Sequence, residues 1–193
     1  MSTARQIAKV SIEDYLKAEL SSPQKHEYIG GVVYAMSGGR NVHASISSNM
    51  TAALWSRLPE GPCQAMNSDV KIRIRLPGHT RFYYPDASVI CRPNASDQLY
   101  QDHPTLVVEV FSDSSRRTDL HEKKEAYLSI PSLDLYLLVE PEAPAVIIYR
   151  RTESGFSREE WHGLEAVIPL PELGIDLPLS EIYRRVTFES ETE

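Results

Sequence analysis

The chain has 193 residues, 41% of them hydrophobic, which is enough to bury one sizeable core without a metal or a disulfide framework. Its formal net charge of −7 argues against a protein that coats nucleic acid nonspecifically, since such a protein neutralises phosphates with excess basic residues. The same charge is compatible with an enzyme that gathers carboxylates at one place to hold a metal.

Ser11 with Asp14 three residues on forms a capping box, and Ile12, Tyr15, Leu16 and Leu20 continue at helical spacing. His26–Ile29, Gly30-Gly31 and Val32–Tyr34 read as a hairpin on a two-glycine turn. A second helix fits Asn41–Arg57, with Ile46, Met50, Ala53 and Leu54 on one face and Pro59 and Gly61 ending it. Over Asp69–Leu76, Val70, Ile72, Ile74 and Leu76 point one way and Asp69, Lys71, Arg73 and Arg75 the other. Tyr83–Ile90 reads as a strand. Thr105–Phe111 is nearly all apolar, as suits a strand covered on both faces. Thr118 or Asp119 caps a helix to about Ser129, and Leu135–Val139 and Val146–Tyr149 are strands joined across a Pro141–Pro144 turn. A proline-punctuated run of short strands and a helix near Ser180–Val186 close the chain, with residues 189–193 expected as a disordered tail. The expected fold is a single α/β domain over residues 1–188, a mixed central sheet flanked by helices.

Cys63 and Cys91 lack metal-ligand spacing and are each expected as a small buried hydrophobe in a reducing compartment. No apolar run approaches the roughly 20 residues of a membrane helix, and the first residues lack a signal peptide's apolar stretch. The cytoplasm is the expected location, with no membrane partner.

Two carboxylates carry the chemical interest. Asp86 follows a proline at the start of an apolar run, and Glu109 lies deep inside Leu-Val-Val-Glu-Val-Phe. Desolvating an unpaired charge costs several kcal/mol, so Glu109 needs a cation, a basic partner or protonation. A hard divalent ion shared by two carboxylates meets that need, and so does an ion pair with Arg or Lys.

Glu27-Tyr28-Ile29-Gly30-Gly31, His43, Ser68-Asp69, Tyr84-Pro85-Asp86, Val108-Glu109-Val110 and Arg117-Thr118-Asp119 with Lys123 and Tyr127 stand in an order that resembles the Uma2 family of the PD-(D/E)XK, restriction-endonuclease-like superfamily. The resemblance implies a restriction-endonuclease-like fold, a Mg²⁺ or Mn²⁺ cofactor, and hydrolysis of phosphodiester bonds in nucleic acid, DNA first. On the residues, it implies Asp86, Glu109 and the Val110 backbone carbonyl as metal ligands and Glu27 as a third acidic member. The superfamily's lysine position, two after the glutamate, holds Phe111 here, and the resemblance implies that Lys123 on the next helix replaces it. His43, Asp69 and Lys71 are accessory candidates, the last two on condition that their strand pairs with that of Asp86; a cap and a cross-strand salt bridge are their alternatives. By analogy with restriction-type folds, a homodimer is expected. The alternative function is a catalytically silent domain of the same fold, acting as a nucleic-acid-binding or interaction module.

His121-Glu122-Lys123-Lys124-Glu125 begins like a zinc-protease helix but lacks the second histidine four residues on. Lys71, Arg73, Arg75 and Arg81 form a locally basic stretch that suits either a phosphate backbone or the wet face of an edge strand.

Overall fold

The computed structural model describes residues 9–36, 38–112 and 116–188, the side chain of Arg117 excepted; the tail expected at 189–193 lies outside the described residues. The chain runs α1 (Ile12–Glu19), β1 (His26–Ile29), β2 (Val32–Ala35), α2 (Asn41–Arg57), β3 (Gln64–Asn67), β4 (Lys71–Leu76), β5 (His79–Tyr83), β6 (Ala87–Ile90), β7 (Tyr100–Gln101) and β8 (Pro104–Val110). It continues through α3 (Arg116–Thr118), a π-helical turn over Asp119–Lys123, α4 (Lys124–Leu128), β9 (Leu135–Val139), β10 (Ala145–Thr152), β11 (Gly155–His162), β12 (Val167–Leu170), β13 (Ile175–Pro178) and α5 (Leu179–Ile182).

The fold is mixed α/β, but the strands divide between two large sheets rather than one. The order is β2-β1-β5-β4-β7 in the first, β11-β10-β9-β8-β6-β3 in the second, and β12-β13 form a small third. The division falls inside the stretch expected as one strand from Tyr83 to Ile90. Pro85 donates no ladder hydrogen bond, so β5 ends at Tyr83 in the first sheet and the chain enters the second at Ala87. Asp86 sits at this transfer.

Strand β8 is central to the second sheet, antiparallel to β6 and parallel to β9. Its side chains alternate between two cores. Leu106, Val108 and Val110 pack with Ile46, Met50 and Leu54 of α2, while Val107 and Phe111 pack with Tyr127, Ile130 and Tyr136. Fully burying an aliphatic or aromatic side chain stabilises by about 1.5–3 kcal/mol, so these two layers hold β8 in one register. Glu109 therefore enters the second layer, on the same face as Phe111 and under the turn that carries Lys123. A third cluster, Tyr15, Tyr28 and Phe82, seats α1 on the first sheet.

Other expectations need correction. The strand expected from Asp69 starts at Lys71, and Lys71 is buried instead of solvated, covered by Tyr84. Strand β5, missed in the pattern because Thr80 and Arg81 are polar, pairs with β4 across a turn in which Gly78 takes φ +83°. The closing helix spans only Leu179–Ile182. Cys63 and Cys91 are joined in a disulfide with Cα atoms 3.8 Å apart, not held as two thiols. The reason is register: Gln64 pairs with Ile90, so antiparallel pairing brings the next residues outward, Cys63 and Cys91, face to face.

Candidate active site

Asp86 is held at four points. Its backbone N–H donates to the Val108 carbonyl at 3.0 Å, and its own carbonyl accepts from Ser47 Oγ at 3.1 Å. Its Oδ2 accepts from the Val110 N–H at 2.7 Å and lies 3.2 Å from His43 Nε2. His43 and Ser47 are one turn apart on α2, so one helix face grips both ends of the aspartate. The hydrogen bond to Asp86 raises the His43 pKa above its ordinary value; burial opposes this, and the Asp86 charge and a hydrogen bond to the Val110 backbone add to it.

Lys123 arrives from the opposite side. The helix expected to start at Thr118 or Asp119 starts at Arg116 and passes through the π-helical turn, which sets Asp119 and Lys123 on one inward face. Lys123 Nζ is 2.9 Å from Glu27 Oε1, 3.3 Å from Glu109 Oε1 and 3.6 Å from Asp119 Oδ1. The contact with Glu27 is electrostatic: Oε1 is buried and takes no hydrogen bond of good geometry. Glu109 Oε1 also accepts from Tyr127 Oη at 3.2 Å. Both partners of the Lys123–Glu109 pair lie out of solvent, at 8% and 5% side-chain exposure, so the pair works in a low dielectric. Burial drives the Glu109 carboxyl well above the usual range; Lys123 opposes this, and Asp119, Asp86 and Glu27 push it further up. Burial alone would lower the Lys123 pKa, but Glu109, Glu27 and Asp119 overcome it and hold the ammonium charged.

The structure thus brings Glu27, His43, Asp86, Glu109, Val110 and Lys123 to one cleft of about 420 Å³. It does not bring Asp69 and Lys71 there, because β4 pairs with β5 and β7 rather than with β6. Asp69 pairs with Lys25 at 2.6 Å on the surface, and Lys71 donates to Tyr84 Oη at 2.9 Å. The basic stretch is largely neutralised: Arg73 makes a two-pronged contact with Asp102 at 2.7 and 2.8 Å, and Arg81 lies 3.1 Å from Glu122. Asp119 and Tyr127 acquire contacts to which no role was assigned on sequence. Both stood in the ordered motif beside Lys123, but an aspartate at a helix start reads as a cap, and only the wider π turn swings it inward.

The donor set suits a hard divalent cation. Asp86, Glu27, Glu109 and Asp119 are four carboxylates against Lys123 and, when protonated, His43, an acid excess that a divalent ion would balance. Among the described residues no group of three ligand side chains stands in metal-holding geometry. Lys123 Nζ fills the space between Glu27 and Glu109, and the His43 ring fills that beside Asp86.

A mixed α/β fold with acidic groups at the seam of two sheets defines the class, and comparison with known proteins defines it more closely. Residues 12–180 match the model of the family Uma2, described as "Putative restriction endonuclease", and the chain belongs to that family. It is 33% identical over 186 residues to the uncharacterized protein slr1290 of Synechocystis sp., covering 93% of this chain and 94% of that one. It is 28% identical over 130 residues to sll1609 of the same organism, covering 66% and 72%. The fold is shared with a crystal structure from Anabaena variabilis ATCC 29413 described as "a putative nuclease belonging to DUF820", at a TM-score of 0.71 and 17% identity over 92% of this chain and 99% of that one.

Proposed function

We propose that the protein is an endonuclease that uses Mg²⁺ or Mn²⁺ to hydrolyse phosphodiester bonds in nucleic acid, DNA first. The carrying observation is the delivery of Lys123 to Glu109 by the π turn, 3.3 Å away, while Phe111 holds the strand position two after the glutamate. Family membership and the excess of carboxylates support the same reading.

Asp86, Glu109 and the Val110 carbonyl would hold the metal, with Glu27 beside them. When bound, the ion supplies a water activated near neutral pH and charge neutralisation on phosphoryl oxygens. Lys123 would donate hydrogen bonds to the attacking water or to the oxygen on which charge develops, and Glu109, Glu27 and Asp119 keep its ammonium protonated for the task. His43 and the Val110 N–H fix the Asp86 carboxylate through Oδ2, at the lining of the cleft.

A second reading, a catalytically silent nucleic-acid-binding domain, has one observation in its favour: Lys123 already stands between the carboxylates. Calorimetric titration of Mg²⁺ and Mn²⁺ into wild type and Asp86→Ala, followed by assays on single- and double-stranded DNA, separates the two. Metal binding and cleavage lost together in Asp86→Ala are the expected result; a wild type that takes up neither ion supports the silent domain.

A further inference from the structure

The cleft is lined by two unlike sets of side chains. One set is charged and includes Asp86, Glu109 and Lys123; the other, aromatic or apolar, includes Tyr34, Met36, Val42, Tyr84, Phe111 and Pro141. Phosphate chemistry needs only the first. Tyr34 stands out on the second because 50% of it is exposed, it belongs to none of the apolar clusters, and no ring of the described residues stacks on it. Its position is set by the β1–β2 register, in which Tyr34 pairs with Glu27. Directly paired residues of an antiparallel ladder have Cβ atoms roughly 5 Å apart on one face, so the phenol ring stands beside the carboxylate that holds Lys123. Strand β2 is the sheet edge, leaving the ring open to an incoming molecule.

Charge points the same way. The chain carries −7 overall, and most of the arginines that could track a duplex backbone are engaged: Arg73 by Asp102, Arg81 by Glu122, Arg150 by Glu159 and Glu172, Arg57 by Glu181. Arg40, at the mouth of the cleft, pairs with Glu142. With the net charge acidic and these arginines engaged, part of the affinity is drawn from elsewhere on the nucleotide, and an exposed ring offers its face to a base.

Resting on the nuclease reading, we propose that Tyr34 is a stacking platform for an unpaired nucleobase, so that the substrate is single-stranded nucleic acid or a nucleotide extruded from a duplex. Because Tyr34, Lys123 and the carboxylates line one cleft, a base stacked on Tyr34 would bring its phosphate into the space they share, whereas a paired base keeps both faces covered by its neighbours.

The test is fluorescence anisotropy in calcium buffer with three labelled probes: an oligothymidylate, an abasic strand with as many phosphates, and a duplex of equal length. Wild type is expected to bind the oligothymidylate about tenfold tighter than the abasic strand, and tighter than the duplex. Tyr34→Ala should lose that margin with abasic binding and melting temperature unchanged, and Tyr34→Phe should keep it. Equal binding of the oligothymidylate and abasic strand by wild type, tighter binding of the duplex, or undiminished oligothymidylate binding by Tyr34→Ala overturns the stacking role. It leaves the nuclease reading intact if the wild type still cuts DNA. A wild type that binds none of the probes and cuts no DNA overturns both.

Discussion

Three carboxylates share the single charge of Lys123, and that inequality makes its neighbours unequal under mutation. Lys123→Met strands Glu27, Glu109 and Asp119 together, and losing the cation of a buried pair costs about 3–5 kcal/mol. Glu109→Gln leaves Lys123 with Glu27 and Asp119 and relieves repulsion, so its metal-free cost should stay within about 1 kcal/mol of zero. Denaturant melts with and without Mg²⁺ measure both: wild type should gain stability from the ion and Glu109→Gln should not. A Glu109→Gln loss as large as that of Lys123→Met would mean that Glu109 serves the ion pair and no metal. Away from the site, Asp102 supplies a pH dependence. Burial raises its carboxyl pKa, but hydrogen bonds from Arg73 and Asn94 outweigh burial and leave it below the ordinary value. A depressed folded pKa stabilises above the unfolded value, and the gain is lost as pH falls below about 4. Asp102→Asn should therefore cost about 2 kcal/mol at neutral pH, and the gap to wild type should close under acid titration followed by circular dichroism. At this scale Asp86 and Glu109 were legible as carboxylates beside apolar runs. Lys123 beside Glu109 was legible only through the family resemblance, because sequence distance alone says nothing of which helix face turns inward.

The elements divide between those written in local pattern and those set by long-range pairing. Helix α2 and the β1–β2 hairpin follow their periodicity and glycine turn closely. Strand β5 and the sheet change at Pro85 did not show, since the same apolar run can continue straight or cross over. Strand parity explains Phe111: it shares the Glu109 face, yet it is packed among Tyr127, Ile130 and Tyr136 and covered by the Arg116 guanidinium 4.3 Å from its ring centre. A lysine there would set its stem in that core and lose the ring that Arg116 covers. Phe111→Lys should lose about 3–5 kcal/mol in a urea melt, from the emptied aromatic volume and the buried charge. Adding it to Lys123→Met should restore no cleavage.

For the whole molecule, the Cys63–Cys91 link closes a loop of 28 residues between β3 and β6, beyond what the chain's two cysteines suggested. By loop closure, reduction or the Cys63→Ser/Cys91→Ser pair should lower stability by about 3–4 kcal/mol, read as a lower melting temperature in dithiothreitol. An unchanged melt would show that the two thiols are not joined in solution. Among the described residues no helix is long and apolar enough to cross a membrane. A mixed sheet flanked by helices followed from the order of elements; the split into two sheets, with α2 and α5 on one face of the second and α4 with the first sheet on the other, did not, because it rests on long-range pairing.

The cleft lies along the seam where these sheets meet, and this has a consequence for when the protein becomes competent. Glu27 belongs to the first sheet, Glu109 to the second, and Lys123 to the turn packed between them. No fragment short of all three holds the set, and contacts so distant in sequence form late, after local helices and hairpins. A nascent or half-folded chain therefore lacks the assembled cluster. On the proposed nuclease reading, metal uptake during refolding should lag behind burial of the tyrosine-rich core, and cleavage should appear only when the last long-range contacts close.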